Sequence, residues 1–328
     1  MSLLQSLVVG KSVLSARLLG VRQPVVVKFK LTSRCNSACR YCLDKKDSRD
    51  LSTAKVMGLL RQMWVCGTKR IGFFGGEVLL RKDLGKILEF CREKNIYTTL
   101  VTNGYLVPDN VSIISKANCL FISLDGPKKV HDYQRGEGSY EKVIRAIYAA
   151  KPHVEVVTHT TLTRYNVDNI KNIAELAKMQ GFQATFCPIH FQKQLSPSNK
   201  DIRKAVSTIV SLKCSGYPIL TSKPLLNYWL QWHDFSKPYS TKRTMNDPVC
   251  YAGKLYCEIN SDGSMAPCDW TFRLSNSNAL KQGFRTAFQS LPTPVCKACI
   301  RPWTAEYNLM FSLNPGTIWN YMKFVVKT

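Results

Sequence analysis

Cys35, Cys39 and Cys42 stand close together in the run Cys35-Asn36-Ser37-Ala38-Cys39-Arg40-Tyr41-Cys42. Asn36 and Ser37 are turn formers, so this C-x₃-C-x₂-C spacing belongs to a loop. Thiolates are soft ligands suited to zinc or to iron–sulfur clusters. Three of them fall one short of a closed structural zinc set, and of the four cysteines that most electron-transfer clusters take. A four-iron cubane on three thiolates would keep one iron open to a substrate or cofactor. The alternatives are a zinc knuckle completed from afar, or three unrelated reduced thiols.

A second set follows near the C-terminus. Cys250, Cys268, Cys296 and Cys299 have the pattern C-x₁₇-C…C-x₂-C. The stretch 258–267 between the first two reads as a β-hairpin turning at Asp262-Gly263. Four thiolates make a cage that zinc or a cluster would fit alike, and spacing alone tilts toward zinc. Cys257 reads as a buried spare thiol rather than a fifth ligand. Cys66, Cys91, Cys119, Cys187 and Cys214 read as core or surface residues.

The elements that must position these groups alternate in type. A strand-like run, Val25 to Leu31, precedes the cysteine triplet. Further strands are expected at Arg70–Phe74, Tyr97–Val101, Cys119–Leu124, Val154–Leu162 and Gln183–Ile189. Helices are expected at Ser52–Val65, Leu84–Lys94, Val111–Lys116, Ser139–Ala150 and Val167–Met179. About six βα repeats of this kind give an α/β fold with a parallel sheet. Polar motifs follow the strands: Gly75-Gly76-Glu77, Thr102-Asn103-Gly104, and Ser123-Leu124-Asp125-Gly126-Pro127 with His131-Asp132 and Arg135-Gly136. C-terminal strand ends are where barrel enzymes assemble their sites.

The triplet, with Tyr41 before its last cysteine, and these motifs in this order resemble the radical S-adenosylmethionine (SAM) enzymes. The resemblance covers residues from about Val25 to Asn166 and resumes at the second cysteine set. It departs at Val78, where the family's glycine-glycine-glutamate motif usually continues with proline. It implies a partial (β/α) barrel with a small cysteine-rich β-hairpin appendage of the SPASM/twitch kind. It also implies a 4Fe–4S cluster on Cys35, Cys39 and Cys42 whose free iron chelates SAM. One electron then cleaves SAM to a 5′-deoxyadenosyl radical that abstracts hydrogen from substrate. Gly75 and Gly76 would bring backbone close to the methionine end, and Glu77 would accept a bond from its ammonium. Thr102, Ser123 and Asp125 would contact ribose and methionine, and Tyr41 would lie near the adenine. Asn166 would touch SAM, or else cap the helix expected at Val167. The second set would hold an auxiliary 4Fe–4S cluster. No cysteine follows Cys299, so the one-cluster twitch form is the nearer match.

The expected organisation is an N-terminal amphipathic helix (1–23), the barrel core (24–190), a lysine- and aromatic-rich segment (191–246) that covers substrate or is a mere insertion, and the auxiliary region with an apolar tail (247–328). At 328 residues and 37.2 kDa the chain can bury a large core. Thirteen cysteines without a secretory signal point to metal chemistry in a reducing, cytoplasmic compartment. Lys+Arg 46 against Asp+Glu 22 gives +24, either a field that favours anionic partners or a basic proteome background. No nucleic-acid module is visible, so nucleic acid is not expected as a partner. Leu3, Leu4, Leu7, Val8, Leu14, Leu18 and Leu19 recur at helical spacing beside Lys11, Arg17 and Arg22. That helix either docks on the enzyme, the reading preferred here, or lies on a membrane surface.

The expected function is a radical SAM oxidoreductase acting on an unactivated C–H bond, reduced by a donor such as flavodoxin or ferredoxin. A biosynthetic small molecule or lipid-like substrate leads, because no separate peptide-binding domain precedes Val25. A peptide-modifying maturase is the alternative, and a non-catalytic metal-bearing binding module the second.

Overall fold

The computed structural model describes residues 3–43 and 50–325. Helix α1 (Leu3–Leu18) opens the chain. Strands β1 (Val26–Thr32), β2 (Arg70–Gly75), β3 (Tyr97–Thr102), β4 (Cys119–Ser123), β5 (Glu155–Leu162) and β6 (Gln183–Pro188) follow, all parallel and adjacent in sequence order. Between them run α2 (Thr53–Val65), α3 (Leu84–Glu93), α4 (Val111–Ile114), α5 (Lys128–Arg135), α6 (Ser139–Ala150) and α7 (Ile170–Gln180). The sheet is an open, partial barrel, with the six βα repeats that the sequence pattern implies.

Alternation along each strand decides what faces where. In β1, Val27, Phe29 and Leu31 are buried in the main core, which also takes in residues of the helices. Lys28 and Lys30 therefore turn to the inner face. Ser52, where the sequence reading starts the helix, caps α2, its side chain accepting from the Lys55 amide. Helix α5 escapes sequence reading because Lys-Lys-Val-His-Asp-Tyr-Gln-Arg offers almost no apolar stripe. Helix α7 begins at Ile170, not Val167, with Asn169 at its N-cap position.

Residues 191–246 hold more order than expected. Helices α8 (Asn199–Cys214) and α9 (Lys223–Gln231) join the main core through Ile202, Val206, Ile209, Leu225 and Trp229. Backbone bonds from Ala184 to Pro218 and from Leu220 to Ala184 cover the outer edge of β6. The short strand β7 (Tyr239–Ser240) closes this segment.

The hairpin forms as its sequence predicts: β8 (Tyr256–Ile259) pairs antiparallel with β9 (Met265–Ala266), and Gly263 takes φ +82° at the turn. Its placement is new. Strand β8 also pairs in parallel with β1, so it extends the barrel sheet rather than standing apart. Beyond it lie α10 (Ala279–Gln282), α11 (Phe284–Gln289), β10 (Ala298–Cys299, antiparallel to β7), α12 (Pro302–Phe311) and α13 (Pro315–Val325). Helices α12 and α13 cover part of the inner face. Trp303 meets Phe121 edge-on at 4.7 Å, and Tyr321 and Phe324 pack with Tyr97, Cys119 and Val157.

Helix α1 buries Ser12, Val13 and Ala16, the last two against Tyr251, Tyr256, Tyr307 and Phe311. Leu14, Leu18 and Leu19 stay exposed, so the expected stripe is only partly used. The side chains of Leu3, Leu4, Leu7 and Val8 lie outside the described residues. Arg22 fastens the end of this segment, donating to the carbonyls of Gly253, Gln289 and Leu291 at 2.6–2.9 Å. Among the described residues no helix is long and apolar enough to cross a membrane.

Candidate active site

The loop carrying Cys35, Cys39 and Cys42 is laid across the C-terminal ends of β1 to β4. Its entry is fixed by backbone: the Gly76 amide donates to Thr32 O at 2.9 Å and the Glu77 amide to Arg34 O at 2.8 Å. A β-carbon on Gly75 would stand 2.2 Å from Thr32 O, and one on Gly76 2.2 Å from Arg34 O. The two glycines are needed so that this strand end can pass against the cysteine loop. This gives the missing β-carbons a use within the chain beside the close approach to a ligand that the sequence suggests.

Glu77 is fully buried and accepts from the Thr102 hydroxyl at 2.8 Å, the Asn103 amide at 2.8 Å and the Leu79 amide at 3.0 Å. Burial raises its pKa, and those bonds counter the shift. Its carboxylate thus ties β2 to β3 within the chain. Thr102 in turn accepts from the Gly104 amide. Asn103 reaches the cysteine loop, donating to Asn36 Oδ1 at 2.7 Å and toward Cys35 Sγ at 3.9 Å.

Asp125 is the second anchor and is likewise fully buried. Its Oδ2 accepts from the Tyr41 hydroxyl at 2.6 Å and from Arg135 Nε at 2.5 Å; Oδ1 accepts from the Thr161 amide at 2.9 Å. Burial alone would push the Asp125 pKa up, but the Arg135 guanidinium outweighs it and holds the carboxyl ionised. Arg135 also donates to the Tyr41 oxygen and, from Nη1, toward Cys39 Sγ at 3.7 Å. Burial keeps the Tyr41 phenol protonated, well above its ordinary value. Asn166, fully buried, donates to the carbonyls of Asp125 and Thr161 at 2.8 Å and accepts from the Thr163 amide. It does not cap α7. The polar atoms of Glu77, Asp125 and Asn166, expected on the cofactor, are thus engaged by the chain itself. Ser123 lies opposite His159 on the same face of β4 as Phe121.

Two of the loop's sulfurs receive donors suited to an anionic sulfur cluster: Asn103 at Cys35, and Arg135 and the Ser37 hydroxyl (3.3 Å) at Cys39. Cys42 is exposed. This donor chemistry fits an iron–sulfur cluster. Cys250, Cys268, Cys296 and Cys299 are also brought together. Burial raises the thiols of Cys268, to about 11, and of Cys296 and Cys299, and Cys250 raises each further. Tyr256 stands with them, its hydroxyl 3.8 Å from Cys250 Sγ. Crowded thiols of this kind ionise readily only when a metal compensates them, as a metal centre requires. Among the described residues no three Cys, His, Asp or Glu side chains enclose a single metal ion. Cys257 faces the opposite side of β8 and belongs to the main core, as a spare thiol.

Between the two cysteine sets lies an inner wall that the sequence did not single out. Lys28 pairs with Glu258 at 2.7 Å across β1 and β8. Arg301 pairs with Asp269, and its charge is felt at His159, Cys187 and His190. Trp270 is ringed by His190 and Phe191 at 5.6 Å and Tyr239 at 5.3 Å. The available signal was the lysine alternation in β1, which requires a polar inner face. Arg135 was visible as part of a motif, but its role depends on a fold that brings α5 under the cysteine loop.

Known proteins agree with this geometry. The pattern of the Radical SAM superfamily matches residues 29–177. Mycofactocin maturase MftC of Mycobacterium ulcerans is 28% identical over 279 residues, 80% of this chain and 74% of the relative. Fe-coproporphyrin III synthase of Methanosarcina barkeri is 30% identical over 164 residues, 47% of this chain and 41% of that protein. Among solved structures, Streptococcus suis SuiB bound to precursor peptide SuiA superposes with a TM-score of 0.67 at 18% identity, covering 86% of this chain and 69% of SuiB. The strand-end motifs, the three-cysteine loop and the matched sequence pattern together identify residues 29–177 as a radical SAM domain, an enzyme domain whose family cofactors are SAM and a 4Fe–4S cluster.

Proposed function

We propose that the chain is a peptide-modifying radical SAM maturase with an auxiliary 4Fe–4S cluster. One observation carries this reading. The likeness to a maturase runs over 80% of the chain, far more than residues 29–177 can account for. The small-molecule expectation drew on the N-terminus, and a lipid-like substrate with membrane contact gains no support from an α1 that buries Ser12, Val13 and Ala16. A small-molecule reading retains one observation, the likeness to Fe-coproporphyrin III synthase. That likeness spans 47% of the chain, an extent the shared core alone could supply.

In this reading Cys35, Cys39 and Cys42 hold the catalytic cluster. A cluster bound there would supply one-electron reductive cleavage of SAM and, through it, abstraction of a hydrogen atom from substrate. The backbone at Gly75, Gly76 and Glu77, with Thr102 and Ser123, lines the methionine and ribose ends. Tyr41, Asp125 and Asn166 brace that floor. Cys250, Cys268, Cys296 and Cys299 would hold the auxiliary cluster, which would supply an electron acceptor for an oxidation that removes two hydrogens from substrate. A flavodoxin or ferredoxin in the cytoplasm delivers the first electron.

The test is anaerobic incubation of reconstituted enzyme with SAM, dithionite and pooled peptides, read by 5′-deoxyadenosine and by peptide mass. Peptides that lose two hydrogens support the reading. Peptides left unchanged, while a small-metabolite fraction stimulates SAM cleavage, overturn it in favour of the small-molecule alternative.

A further inference from the structure

His190 sits just past the end of β6, on the rim shared by the barrel and the auxiliary region. Both of its ring nitrogens are out of solvent and lack a hydrogen-bond partner. Native structures leave few buried polar groups unpaired, and such a group calls for an explanation. The next residue, Phe191, holds φ +59° and is 60% exposed. A bulky side chain in the left-handed region is strained, and strain of this kind collects at ligand sites. The two anomalies are independent and adjacent. They meet at Trp270, whose ring both residues approach edge-on at 5.6 Å. Trp270 follows the Cys268 ligand position closely, so this corner lies next to the auxiliary set.

We propose that His190 and Trp270 form the anchoring subsite for substrate, with the imidazole hydrogen-bonding one backbone amide of a peptide and the Trp270 ring receiving its neighbouring apolar side chain. A neutral imidazole offers one donor and one acceptor, the complement of an amide. Burial, aided by Arg301, holds His190 uncharged, its pKa lowered to about 3. Arg301 and Lys28 are each paired, with Asp269 and Glu258, so neither of these two cations is left to select an acid instead. Phe191 stands at the entrance and relaxes from its strained angle when the peptide enters. This inference rests on the peptide reading.

The experiment pans a phage-displayed random peptide library on anaerobic, SAM-loaded holoenzyme, in one arm directly and in another after depletion on the Trp270→Ala holoenzyme. Enrichment should survive depletion. A fluorescein-labelled enriched peptide should then bind His190→Ala about tenfold more weakly, the worth of a lost hydrogen bond, and His190→Gln nearly as well as wild type. Iron content and the thermal midpoint report folding of each variant. No enrichment in either arm sinks the peptide reading and this subsite with it. Enrichment that depletion removes entirely, together with unchanged binding to His190→Ala or equal loss in His190→Ala and His190→Gln, overturns the subsite alone. Loss of fold in both His190 variants would make His190 a packing residue and overturn it as well.

Discussion

Arg135 Nε donates to Asp125 Oδ2 at 2.5 Å, and both side chains are buried beneath the cysteine loop. A buried ion pair is costly to break because the remaining charge has nowhere to go. Arg135→Gln should therefore lower unfolding stability by about 3–5 kcal/mol, and Tyr41→Phe by only about 1, as measured by urea titration. Equal effects would mean that the phenol, not the ion pair, holds the loop.

Cys35→Ala, Cys39→Ala and Cys42→Ala should each abolish reductive cleavage of SAM. The loop lies at the rim, so circular dichroism should report a folded protein. Near-normal 5′-deoxyadenosine from any of the three would refute the ligand assignment.

Reconstituted enzyme should carry about eight irons per chain, two cubanes. Cys268→Ala should halve the iron yet leave SAM cleavage without substrate in place. Stoichiometric zinc in the second set would make that region a structural brace instead.

Glu306 gives a pH signature. It is buried, accepts from the Ser222 amide at 2.7 Å and hydroxyl at 2.8 Å, and burial raises its pKa to about 7. Between its unfolded value near 4.5 and about 7 the native state holds the extra proton, so its contribution to stability is lost as pH rises through that window. Glu306→Gln should gain about 3 kcal/mol relative to wild type on going from pH 5 to pH 8, followed by thermal denaturation. No pH-dependent difference would show that the carboxyl titrates normally.

A variant lacking residues before Gln23 should lose solubility and auxiliary iron, because Val13, Ala16 and Arg22 pack on that region. Wild type should ignore anionic vesicles. Salt-sensitive co-sedimentation with them would reverse this assignment.

Much of this could be read in advance where local pattern and chemistry coincide. The strands betray themselves by apolar runs, and the cysteine sets by spacing. Other features depend on contacts between distant segments, which no local pattern encodes. Glu77 and Asp125 carry the right residue types, yet only the fold shows their oxygens spent on Thr102, Asn103, Arg135 and Thr161. Helix α5 stayed hidden because its buried face is His131, Asp132, Gln134 and Arg135, polar residues bonded rather than packed. His190 carried no local signal at all.

The pairing of β8 with β1 bears on how this enzyme can be taken apart. A cut anywhere before Tyr256 would strip one side of β1 and leave a row of unanswered amides and carbonyls, an invitation to aggregate. The radical-generating half and the cysteine-rich half are therefore one cooperative body rather than exchangeable cassettes. A chimera that imports another enzyme's auxiliary region must import its edge strand in register with Val26–Phe29, or it will not fold.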